Sequence, residues 1–77
     1  MRLSELKIGS LGRIQKIEDS PFTEKLMEMG CVPGSLIRPL FKAPFGDPVA
    51  YEVEEYTLSI RSAEAAFIQV QPLGDFF

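Results

Sequence analysis

Apolar residues recur along this chain with two periods, and the switches between them mark its elements. Phe22, Leu26 and Met29 stand at i, i+4 and i+7, which lays them along one face of a helix. Val49, Tyr51 and Val53 alternate with Ala50, Glu52 and Glu54, and Leu58 and Ile60 alternate with Thr57, Ser59 and Arg61. That two-residue period predicts two strands, each with one wet face. Residues 67–71 read the same way, with Ile68 and Val70 inward. From Ser10 to Ile17 the β-branched Ile14 and Ile17 suit a strand, but their spacing of three breaks alternation and asks for a bulge near Gly12. A further strand over 35–42 carries Pro39, which cannot donate a ladder hydrogen bond and belongs at an edge or bulge. Leu3, Leu6 and Ile8 predict a short helical turn or irregular entry that plugs the core.

Turn-forming residues set the boundaries of these elements. Ser20 or Asp19 is a cap type, and Pro21 suits a first helical position, where its missing N–H costs nothing. At the other end Leu26 is followed by Gly30, which can take the left-handed conformation that closes a helix. Pro33 and Gly34 then match the second and third positions of a type II turn. Residues 43–48, APFGDP, form a loop or hairpin by their Pro, Gly and Asp content, with Gly46, Asp47 and Pro48 as its frame. Ser62 is the natural cap of a single helical turn over SAEAA.

A curled sheet is the economical way for five such short strands to share one core. The expected fold is mainly β: a small SH3-like five-stranded barrel, with one short α-helix between strands 1 and 2 and a short helical turn before the last strand. It fills residues 1–73 as a single domain. Residues 74–77 are read as a flexible C-terminal tail, because LGDFF has no partner in this scheme; Phe76 and Phe77 are either disordered or packed on an exposed groove.

Composition narrows the chemistry. At 77 residues, a chain buries only roughly 60% of its unfolded surface, so the core is small. No apolar run approaches the length of a membrane span, and the N-terminus lacks a signal peptide's continuous apolar region, so a cytoplasmic location is expected. A net charge of −3 opposes phosphate neutralisation, which argues against nucleic acid as a partner. With no histidine and one cysteine, the usual ligands of zinc or copper are missing. Cys31 with acidic oxygens leaves a labile ferrous iron site as the weak metal candidate, against its ordinary role as a small buried hydrophobe. No phosphate-binding glycine loop or histidine-activated nucleophile is present, no catalytic or cofactor-binding residue is assigned, and the chain is read as a non-enzyme. Glu52, Glu54 and Glu55 are read as a solvated acidic face.

Binding is the chemistry that remains. Phe45, at a tip framed by Pro44 and Gly46, is either an interface anchor or a lid folded back on the core. Helical rotation points Met27, Glu24 and Lys25 away from the apolar face. These four residues are the candidate docking surface.

Taken in order, SPFTEKLMEMGCVPGSLI, APFGDPVAYEV and LSIRSAEAAFIQV resemble the FeoA family of bacterial ferrous iron transport proteins, over nearly the whole chain. The resemblance rests on Leu26, Gly30, Pro33 and Gly34, then Ala43, Pro44, Gly46, Asp47 and Pro48, then Leu58, Ile60 and Arg61 with Ala63 and Ala66. It implies a cytoplasmic accessory protein of FeoB, a membrane ferrous iron transporter with a GTP-binding domain, met at the membrane only through that partner. The same domain type is similar to the C-terminal part of iron-dependent repressors, which makes a related regulatory role, or weak ferrous iron binding, the alternative. Pro39 and the LGDFF tail lie outside the family pattern.

Overall fold

In the computed structural model, which describes residues 1–75, β1 (Ser10–Ile17), β2 (Leu36–Lys42), β3 (Val49–Val53), β4 (Tyr56–Ile60) and β5 (Ile68–Asp75) form one antiparallel sheet. Their order is β4-β3-β2-β1-β5. A 3-10 turn (Leu3–Glu5) precedes β1, helix α1 (Thr23–Glu28) lies between β1 and β2, and α2 (Ser62–Ala65) leads into β5. Ile60 of β4 and Ile68 and Val70 of β5 belong to one buried cluster although their strands are opposite edges of the sheet. The sheet must therefore curl around that core. Among the described residues no helix is long and apolar enough to cross a membrane.

Local irregularities produce the curl. Ile14 pairs with Val70 and Lys16 with Gln69, so Gln15 is an extra residue in β1. That insertion shifts the alternation and brings Ile14 and Ile17 towards the same core despite their odd spacing. A second irregularity lies between Leu11 and Gly12 and a third between Pro39 and Phe41. Pro39 sits at this bulge in a central strand, not at an edge. Its carbonyl accepts the Gly9 N–H at 2.7 Å.

Leu26 is fully buried, and Phe22 and Met29 pack against the core from its margin. The helix, expected from Pro21, begins at Thr23 instead. Ser20 Oγ accepts the Phe22 N–H at 3.1 Å and Thr23 Oγ1 accepts the Ser20 N–H at 2.9 Å, so residues 20–22 are held as a turn. At the far end, Cys31 N–H reaches Leu26 C=O and Gly30 N–H reaches Met27 C=O, both at 3.0 Å. With Gly30 at φ 100°, this is a complete Schellman closure. Ser35 N–H then bonds Val32 C=O across Pro33 and Gly34, whose φ of 96° fits the type II turn.

At the termini, Leu3 and Leu6 enter the core while Ile8 stays partly exposed. The last strand runs further than expected. Gly74 pairs with Leu11 and Asp75 with Ser10, so these two residues continue β5 and are not a free tail. The start of β1 supplies this ladder, which the apolar pattern alone did not show. Phe76 and Phe77 lie outside the described residues.

Candidate docking face

Two of the candidate residues, Phe45 and Lys25, lie on segments tied to α2, a helix of only four residues. It was expected to be capped by Ser62, but the cap position is Arg61 and Ser62 is the first helical residue. Glu64, three residues on, accepts the Arg61 N–H at 3.1 Å, the return half of a capping box. The Ser62 hydroxyl is free to turn outward. It donates to Asp47 Oδ1 at 3.1 Å, and the Ser62 N–H donates to the same oxygen at 2.8 Å.

Asp47 thus clamps the 43–48 loop to the start of α2. Within the loop, Gly46 N–H bonds Ala43 C=O at 2.7 Å, which puts Pro44 and Phe45 at the two central turn positions. Ala43 N–H bonds Pro48 C=O at 3.0 Å and closes the loop base. Phe45 is held outside this frame at 99% exposure. Of the two roles read for it, the lid is excluded. Phe41, near the end of β2, is also exposed. Beside this hairpin opens a groove of about 390 Å³, walled by Leu6, Ile8, Pro39, Lys42, Val49 and Tyr51.

On the other side of α2, Lys25 Nζ donates to Glu64 Oε2 at 2.5 Å. Glu64 is buried, and its carboxyl is held below the usual carboxylate range by the Lys25 hydrogen bond first, against the opposing cost of burial, with help from the Arg61 N–H. The rings of Phe22 and Phe67 meet tilted by 51°, 5.8 Å between centres, and tie the start of α1 to the chain after α2. The 43–48 loop and α1 therefore flank α2, each held by one of its carboxylate or hydroxyl groups.

The four candidates do not share one surface equally. Lys25 is committed to Glu64 and faces α2, whereas Met27 lies about 200° further round the helix. Met27 is half exposed and shares its side of α1 with exposed Glu24. Phe45 and Lys25 border α2; Met27 and Glu24 look elsewhere. Glu64, Ser62 and Arg61 were missed as organisers of this face, although a glutamate three residues after Arg61 is a capping spacing that the sequence displays.

Metal chemistry finds little support in the donor set. Cys31 is fully buried in the core, and desolvation pushes its thiol up to about 11. A thiolate ligand is disfavoured there, so the weak metal candidate is corrected to a core residue. Among the described residues no group of three or more His, Cys, Asp or Glu is placed to hold a metal ion. Tyr51 is likewise pushed up to about 12, by burial first and then by the charges of Asp47 and Cys31, and stays a neutral phenol.

A family model for the FeoA domain matches residues 1–72. The chain belongs to the FeoA family. It is 40% identical over 72 residues to the Fe(2+) transport protein A/Fe(2+) transporter FeoB fusion protein of Porphyromonas gingivalis, covering 92% of this chain and 8% of that relative. The chain thus spans a small part of that relative's length. Among solved structures, the FeoA-like protein of Clostridium acetobutylicum superposes with TM-score 0.91 at 37% identity, over 100% of this chain and 91% of that one. FeoA of Stenotrophomonas maltophilia, solved with zinc and described as a procaryotic SH3 domain protein, gives 0.81 at 28% identity, over 92% and 89%. The fold is SH3-like, as the FeoA resemblance and the strand pattern both implied. A manganese-dependent transcriptional repressor aligns at TM-score 0.83 but 21% identity, over 95% of this chain and 41% of that one, which is a likeness of fold alone.

Proposed function

We propose that this FeoA domain is an accessory module of bacterial ferrous iron uptake that docks on a FeoB-like transporter through the Phe45 loop. The relative in which the two are one polypeptide supports the pairing, since fusion raises the effective concentration of two parts that act together. The observation that carries the docking site is Phe45. A phenylalanine 99% exposed on a loop clamped by Asp47 and Ser62 is an apolar anchor carried on backbone that is already ordered in the free protein. The neighbouring groove beside Lys42 and Tyr51 can receive an apolar side chain in return. Met27 and Glu24 form a second, weaker contact; Lys25 positions α1 on α2 and does not itself reach the partner. The docking surface is cytoplasmic and reaches the membrane only through the transporter, whose GTP-binding domain is the proposed contact. Iron is the cargo of that partner.

Calorimetry with the soluble GTP-binding domain of the cognate transporter tests this. Phe45→Ala, which removes no core contact, is expected to weaken binding about 30-fold, the effect of losing roughly 2 kcal/mol of apolar burial. Equal affinity for the variant and the wild type would remove Phe45 from the interface.

A further inference from the structure

The sheet has two outer strands, and the fold treats their edges differently. At β5, Val70 N–H donates to Met1 C=O at 2.7 Å, the N-terminal ammonium donates to Val70 C=O, and Arg2 bridges Gln69. β4 has no strand beyond it among the described residues. Val53 and Tyr56 close a two-residue turn, which makes them a hydrogen-bonded pair. By alternation Tyr51–Leu58 and Val49–Ile60 carry the remaining bonds between β3 and β4. Thr57 and Ser59 therefore direct their N–H and C=O groups to the open side. Exposed edges are ordinarily blunted by a charge, a proline or a bulge. β4, YTLSI, has no charge and no proline, and its ladder runs without a register shift.

We propose that β4 pairs antiparallel with β4 of a second copy of this chain, about a two-fold axis at Leu58. In this register Thr57 faces Ser59 of the second copy and Ser59 faces its Thr57, which uses every outward backbone group of the strand. Glu55 and Arg61 lie three residues to either side of Leu58, and both are exposed. Each Glu55 therefore meets the Arg61 of the other copy, giving two charge pairs with no like-charge contact. Sliding the axis to Thr57 or Ser59 keeps backbone bonds but loses both charge pairs, so the charges select the register. Leu58, half-buried in one copy, meets its equivalent in a non-bonded pair, where side chains approach closest. Tyr56, 73% exposed, comes to lie opposite Ile60 of the second copy. Five paired residues bury little area, so the dimer is weak and reversible.

This association is independent of the transporter and is tested on the purified chain. In sedimentation equilibrium up to about 1 mM protein, the weight-average mass is expected to rise from 8.6 kDa towards twice that value. Ser59→Pro removes an N–H that does not serve β3, so the variant folds by circular dichroism and loses the concentration dependence. As a second route, Glu55→Arg weakens association about tenfold, and adding Arg61→Glu restores it. A mass fixed at 8.6 kDa at about 1 mM overturns the proposal. So does a folded Ser59→Pro that associates like wild type, or a double variant no better than Glu55→Arg alone.

Discussion

Replacing Lys25 by Met tests how α1 is held against α2. The methionine keeps most of the apolar stem and deletes only the ammonium that donates to Glu64 at 2.5 Å. The two ends of this pair differ, with side-chain exposures of 60% at Lys25 and 6% at Glu64. An exposed pair contributes about 0 to 1 kcal/mol, and breaking a buried one costs about 3 to 5 kcal/mol. With one end wet and the buried end still bonded to the Arg61 N–H, a loss of about 1 to 2 kcal/mol is expected. Its pH dependence identifies the cause. Glu64 has its folded pKa lowered below the ordinary 4.5, so its contribution is full above about that pH and fades as pH falls through the lowered value. Urea unfolding of both proteins at pH 7 and in steps below pH 4.5 should therefore show a gap that narrows on acidification. A gap below about 0.3 kcal/mol at pH 7, or one that stays constant into acid, would refute the reasoning.

Three further outcomes follow from the same geometry. Gly30→Ala, at φ 100° with open space around the new methyl, should cost about 1 to 2 kcal/mol in thermal or urea unfolding through backbone strain alone. Asp47→Ala removes both bonds to Ser62 and should cost about 1 kcal/mol, while raising amide exchange across 43–48; Asp47→Asn, which keeps an acceptor oxygen, should recover part of it. In alkali, Cys31 and Tyr51 are raised from 9.0 and 10.0 to about 11 and about 12. The unfolded chain loses these protons first, so stability should hold below about pH 9 and fall through pH 11, and Cys31→Ala should remove the earlier part of that fall.

The legible part of this protein was the part written in local sequence. Gly30, Pro33 and Gly34 lie within five residues and define their closure and turn by backbone conformation alone, so the reading and the structure agree there. The odd spacing of Ile14 and Ile17 demanded a bulge, expected near Gly12; a register shift lies there, but the extra residue between the two isoleucines is Gln15, three positions further on. Hydrogen bonds between distant segments were not legible. Lys25 meets Glu64 across 39 residues and Asp47 meets Ser62 across 15, and neither pairing leaves a periodic trace. Ser62 was misread for that reason: its side-chain type suits a cap, but Asp47 had already claimed the hydroxyl. Phe45 could be placed on a tip by its neighbours, but its 99% exposure, which separates an anchor from a lid, depends on tertiary packing that no local pattern displays.

The most direct test of the docking account is an NMR titration of labelled protein with the soluble GTP-binding domain of its cognate transporter, with and without nucleotide. Saturable amide shifts centred on 43–48 are expected, with smaller ones at Met27 and Glu24 on α1. Shifts absent at high partner concentration, or confined to surfaces away from the Phe45 loop, would contradict it.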